Sequence, residues 1–140
     1  MADLKARILE IIHQPHLAAF ATVTGDGRPW VRYVMPFADE DLTLRFSTFV
    51  SARKVAQIRG NPEVHLTCGV TDPMNFKHYL QIEGRAEFTT AEAERARVWS
   101  DHLANIFQGP DDPNMGVVIV RPRRIELSTA GSFEPEVWEA

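Results

Sequence analysis

Phe46-Ser-Thr-Phe-Val-Ser-Ala-Arg-Lys-Val-Ala-Gln-Ile-Arg-Gly-Asn-Pro62 reads as the end of a strand, a polar turn and a short helix whose first turn carries two cations. A helix N-terminus bears partial positive charge from its unpaired N–H groups, so Asp or Glu suits the first turn and Arg53-Lys54 does not. An anion lying against that turn removes the conflict. Ser51 is the expected N-cap, Val55 and Ile58 supply an apolar stripe, and Gly60-Asn61-Pro62 is a stop signal. The stretch predicts a phosphate seat. The alternative is a solvent-facing helix start whose cations pair with some of the 19 acidic residues.

Upstream, Leu42, Leu44 and Phe46 alternate with Thr43, Arg45 and Ser47, the period of a half-buried strand. Leu17 to Thr24 and Pro29 to Phe37 flank Gly25-Asp26-Gly27 and predict a hairpin. Before them, Leu4, Ile8, Ile11 and Ile12 give a helix over 3–13 that Pro15 ends. Downstream, Glu63 to Val70 is a fourth strand. Leu80, Ile82, Ala86 and Phe88 mark a fifth, in which Gly84 predicts a bulge or close backbone approach. Thr89-x-x-Glu92 resembles a capping box opening a helix through Ala96, Trp99, Leu103 and Ile106, stopped by Gly109-Pro110. A last strand spans roughly 116–128, kinked, bulged or at an edge near Pro122. Six strands with tight connections, and helices inserted after the third and fifth, predict a mainly β antiparallel barrel.

The chain has 140 residues, 44% of them hydrophobic, which suits a single domain over 1–140. Its apolar runs are too short to cross a bilayer and its N-terminus lacks a signal peptide's apolar core, so a cytoplasmic location is expected. A net charge of −4 argues against nucleic acid as a partner, and Arg121-Pro-Arg-Arg124 reads as a solvated strand edge. Cys68 is the single cysteine and reads as a packed thiol. The five histidines show no metal-ligating spacing, so no metal site is expected.

A phosphate monoester is best held by hydroxyls, backbone N–H groups and cationic donors together. Ser47, Thr48, Ser51, Arg53 and Lys54 offer these within one segment, and Arg32 could join from the neighbouring strand.

With these pieces in view, the chain resembles the FMN-binding split-barrel proteins related to pyridoxamine 5'-phosphate oxidase, especially the short bacterial general stress protein branch. The likeness rests on the leading helix, the Phe20 to Pro29 hairpin, Arg32-Tyr-Val-Met-Pro-Phe37, the Phe46 to Pro62 segment, Ile82-Glu-Gly-Arg-Ala86 and the Val118 to Leu127 strand. It implies a six-stranded antiparallel split barrel with helices. It places the FMN phosphate at Arg53 and Lys54, with Ser47, Thr48 and Ser51 nearby, and Arg32 opening the flavin-contacting strand. The backbone of Tyr33, Val34 and Met35 would lie along the isoalloxazine ring. A homodimer with flavin at the interface is also implied.

The chain departs from the oxidase in several places. Ala52 stands where a serine is common, Phe37 replaces a lysine, and the flavin-contacting glutamine falls near Tyr79, with Gln81 on the same strand face. The oxidase's C-terminal tryptophan and arginine segment has no clear equivalent. Trp138 reads as a frayed terminal aromatic or as a cap on the flavin. The resemblance implies a flavin-dependent oxidoreductase acting by hydride or electron transfer on a small-molecule substrate or electron partner, with no catalytic side chain nominated. Tyr33, His65 and His78 are the polar residues a substrate could meet. The alternatives are a non-catalytic, stress- or redox-responsive FMN binder and a barrel for another phosphorylated ligand.

Overall fold

The computed structural model describes residues 3–140. Helix α1 (Leu4–Ile12), N-capped by the Asp3 carboxylate on the Ala6 N–H, buries Ile8 and Ile12. It leads into β1 (Ala18–Val23) and β2 (Pro29–Val34), which pair antiparallel from Ala18↔Val34 to Val23↔Pro29. Gly27 takes φ 82° in the connecting turn, a conformation a side chain would strain. After the Met35-Pro36 link come β3 (Phe37–Ala38), β4 (Leu44–Phe49), α2 (Arg53–Gly60) and β5 (Glu63–Cys68). The chain continues through β6 (His78–Thr89), α3 (Glu92–Val98), a 3-10 turn (Asp101–Asn105), β7 (Met115–Thr129) and β8 (Glu136–Glu139).

All pairings are antiparallel, in the order β2-β1-β5-β6-β7-β4-β3, with β8 added to β7. The sheet has eight strands rather than the six expected, because a two-residue β3 and the C-terminal β8 carry too few residues to show a period. It is curled but open. Its two ends, β2 and β3, are consecutive in the chain, so the split runs beside Met35-Pro36. The concave face is filled by Phe20, Leu44, Phe46, Leu66, Leu80, Ile82, Ile125 and Leu127, closed over by Ile8, Ile12 and Ile58. A second cluster, Val98, Leu103, Phe107, Met115, Val117 and Ile119, lies under α3 and the 3-10 turn.

The bulge expected at Gly84 is present. Register shifts between Glu83 and Gly84, with Glu83 opposite Arg124 and Gly84 opposite Pro122, so Arg123 is the extra residue. A Cβ on Gly84 would lie 2.6 Å from the Arg121 carbonyl oxygen and 3.0 Å from Pro122 Cα. Only glycine allows that approach. The bulge also divides β7: Met115 to Val120 pair with β4, whereas Arg124 to Leu127 pair with β8.

Four local expectations need correction. Ser51 does not cap α2: the N-cap is Ala52, and Ala52 N–H donates to the Phe49 carbonyl at 3.0 Å in a tight turn that spends Ser51 before the helix begins. Thr89 does not form a capping box; its hydroxyl accepts from the Ala91 N–H, and Ala91 is the uncapped start of α3. The expected helix to Ile106 breaks at Trp99, which is extended (φ −63°, ψ 135°), and the 3-10 turn buries Leu103 and Phe107 while Ile106 stays exposed. Trp138 is not frayed. It pairs with Ile125 and packs against the main core.

Arg121, Arg123 and Arg124 lie on β7 where its β4 pairing ends at Val120 and its β8 pairing begins at Arg124, and all are ion-paired: Arg121 with Glu87, Arg123 with Glu63 and Glu83, Arg124 with Glu126 and Glu139. Replacing Gly84 with Ala should lower stability by about 2 kcal/mol, the usual cost of forcing an atom into a packed contact. Urea denaturation of the purified variant measures it as a lower transition midpoint.

Candidate functional site

Two strands distant in the sheet and one helix meet at the candidate site. Helix α2 follows β4 and packs against β1 and β6, which places its first turn between the end of β4 and the hairpin strand β2. Arg53 and Lys54 open this helix, no side chain caps it, and no acidic residue occupies its first turn. Its first N–H groups are therefore available to a ligand.

Lys54 Nζ donates to Thr48 Oγ1 at 2.9 Å, and Thr48 is buried at the end of β4. Half-buried Arg32 reaches the same place from β2. Its Nη1 donates to Thr22 Oγ1 at 2.7 Å and to the Phe20 and Trp30 carbonyls at 3.3 Å, and its Nη2 donates to Gln57 Oε1 at 2.7 Å. Arg53, exposed, stacks its guanidinium 5.5 Å from the centre of the Trp30 ring. Among the described residues, none of the three cations has a carboxylate within ion-pair distance.

The electrostatics follow from this crowding. Burial, and then the charge of Arg32, holds the Lys54 ammonium below its ordinary value; burial, and then Arg53, lowers Arg32. Most arginines elsewhere in the chain are ion-paired. Buried Arg45 is ion-paired to Asp39 and, at 2.6 Å, to Glu94, tying β4 to α3. The cluster gathers three cations without carboxylate partners among the described residues, two of them partly buried, an arrangement suited to an anion.

The remaining sequence candidates are placed as follows. Tyr33 is exposed on β2, Val34 is buried at its end, and Met35 is exposed just beyond it. The outer edge of β2 has no strand partner among the described residues. Ser47 pairs with Val117, a residue of the second cluster, whereas Thr48 on the alternate face meets Lys54; the two side chains point to opposite faces of the sheet. Ser51 is exposed in the turn. His65 is exposed on β5 beside Gln81, Glu83, Arg124 and Glu126, and His78 Nδ1 lies 3.3 Å from the Thr129 hydroxyl. Cys68 is buried in the core, and burial pushes its thiol up to about 12.

Thr22, Gln57 and Trp30 were missed. Two signals pointed to them. Gln57 lies three residues after Lys54 and four after Arg53, the spacing of one helix face. Thr22 and Trp30 are cross-strand partners in the same hairpin as Arg32.

A model of the pyridoxamine 5'-phosphate oxidase family matches residues 4–129. The chain belongs to that family. It is 30% identical over 133 residues to general stress protein 26 of Bacillus subtilis (strain 168), covering 95% of this chain and 94% of that one. The crystal structure of general stress protein 26 from Bacillus anthracis str. Sterne superposes with a TM-score of 0.83 at 25% identity, covering 98% of both chains. A structure described as an F420 reductase superposes with a TM-score of 0.63 at 26% identity, covering 83% of this chain and 93% of that one. The split-barrel fold of the family accounts for the open, curled sheet. No helix of the described residues is long and apolar enough to cross a membrane.

Lys54 supplies a test of the cluster without any ligand. Its folded value lies below its unfolded one, so in that window the unfolded chain binds more protons and stability rises with pH. The repulsion is fully present below the folded value. Lys54→Met should therefore stabilise the unliganded protein by up to about 1 kcal/mol at neutral pH, a modest figure because solvent screens a half-exposed group. Thermal melts from pH 7 to 10.5 should show the two proteins converging on the alkaline side.

Proposed function

We propose that the protein binds FMN, with its phosphate held by Arg32, Arg53 and Lys54, and serves as a flavin-dependent oxidoreductase. The observation that carries this reading is the convergence of three cations, free of carboxylate partners, on an uncapped helix N-terminus. A dianionic phosphate would relieve their mutual repulsion and accept from the first-turn N–H groups. Thr48 holds the Lys54 ammonium in place, and its hydroxyl, with the backbone around Ser47 and Ser51, would offer further hydrogen bonds to the phosphate oxygens. The free edge of β2 at Tyr33, Val34 and Met35 offers backbone donors and acceptors to the rim of a flat ring, flanked by exposed apolar side chains that suit its faces. Bound flavin supplies hydride or electron transfer at its ring. The protein's contribution is to fix the phosphate and the ring rim.

Val31, Tyr33 and Met35 are 63%, 74% and 53% exposed, a row of large apolar side chains along an edge strand. Such a row supports a homodimer that covers it and completes the flavin site from the partner subunit. The likeness to a chain described as an F420 reductase favours a second cofactor reading, a deazaflavin whose phosphate would occupy the same seat. The substrate or electron partner is a small molecule in either case.

Protein purified without added cofactor should show flavin absorption in the visible range, and mass analysis of the released compound should return FMN. A colourless protein that takes up no added FMN would overturn the reading in favour of another phosphorylated ligand. Arg53→Ala and Lys54→Ala should each weaken FMN binding by about 1.5–3 kcal/mol, the scale of a lost charge-assisted hydrogen bond, with the fold intact by circular dichroism. Sedimentation equilibrium should give twice the chain mass, and Tyr33→Glu should shift it toward one.

A further inference from the structure

Gln57 sits one helical turn beyond the two cations of α2, and its Oε1 accepts from two donors: Thr22 Oγ1 at 2.6 Å and Arg32 Nη2 at 2.7 Å. The same Thr22 hydroxyl accepts from Arg32 Nη1 at 2.7 Å. The three groups form a closed triangle. Its polarity admits one assignment: guanidinium nitrogens only donate, so the Gln57 amide must present its oxygen, and the Thr22 proton must lie toward that oxygen. Thr22 is 1% exposed on β1, so the triangle is anchored in the core at one corner and in α2 at another.

We propose that Gln57, with Thr22, positions Arg32 for a phosphate, and that its being an amide rather than a carboxylate keeps the seat selective for a dianion. The inference rests on the phosphate reading above and adds the reason the arginine's charge remains available. Several guanidinium groups of this chain are held by carboxylate, buried Arg45 and the more exposed Arg121, Arg123 and Arg124 among them. Arg32 is instead held by four oxygens that carry no net charge: an amide, a hydroxyl and two backbone carbonyls. They fix the orientation of its planar fork without neutralising it. Glutamate at 57 would preserve the shape and the acceptor oxygen while placing an anion 2.7 Å from Nη2, where it competes with the ligand.

Gln57→Glu would act with opposite sign on stability and on binding. The new carboxylate would pair with crowded cations and raise the melting temperature of the unliganded protein. It would also lower FMN affinity tenfold or more, while affinity for riboflavin, which lacks the phosphate, would stay within about twofold. Gln57→Ala, which frees Arg32 without adding charge, would lower FMN affinity by a smaller factor and would not raise the melting temperature.

The experiment measures melting temperatures and the dissociation constants of FMN and riboflavin for the wild type and both variants. Inorganic phosphate is the second probe, read as the rise in melting temperature it causes. An unchanged FMN-to-riboflavin preference in Gln57→Glu, or a fall in its unliganded melting temperature, would overturn the proposal. If the wild type binds no FMN, the flavin reading fails by itself. The role of Gln57 then stands if phosphate stabilises the wild type and not Gln57→Glu, and falls if phosphate stabilises both equally or neither.

Discussion

The backbone contact between Gly84 and Arg121-Pro122 is the constraint on which the rest of the molecule depends. With no Cβ to hold the strands apart, β6 and β7 close at the bulge, and the extra residue Arg123 bends β7 between its two sets of partners. That bend curls an eight-stranded antiparallel sheet instead of leaving it flat. Curling brings β2, at one end of the strand order, near β4, next to the other end. Helix α2 bridges them against β1 and β6, so the three cations that meet there are held by sheet curvature as much as by their own segment.

The molecule treats charge in two ways. Across the outer sheet face, Arg121 and Arg123 are satisfied by Glu at exposed positions where each pair is worth little by itself, whereas buried Arg45 is held between Asp39 and Glu94 beside α3. At the start of α2, three cations are crowded: Arg32 and Lys54 are partly buried and bonded to neutral acceptors, and exposed Arg53 stacks on Trp30. Repulsion left uncompensated lowers the stability of the unliganded state, and an anion placed there would relieve it. Membership of the pyridoxamine 5'-phosphate oxidase family and the similarity to general stress protein 26 account for the fold that brings these cations together.

Features set by a few neighbouring residues are legible in the sequence. The hairpin at Gly25-Asp26-Gly27, the bulge at Gly84 and the cation pair at Arg53-Lys54 each express a local rule of turn chemistry, backbone approach or helix polarity. Features decided between remote segments are not. Ser51 and Thr89 satisfy the composition of a helix cap, yet the tight turn after Phe49 and the extended Ala91 start each helix later than a side-chain cap would require. Trp99 continues a helical period, but the second core cluster accepts Leu103 and Phe107 from a 3-10 turn instead. Trp138 looks like a loose end until β7, bent at its bulge, offers it a strand to pair with.

By itself the sequence determined the six longer strands, the first two helices, the irregularity at Gly84 and the presence of two misplaced cations on one helix, because periodicity, turn chemistry and helix polarity act over a few residues. Only the tertiary structure decided what those cations face. Arg32 meets Gln57 across 25 positions of chain, and Thr22 meets it across 35. Such contacts arise where sheet curvature and helix packing bring separate segments within hydrogen-bonding distance, and no local pattern encodes a distance of that kind.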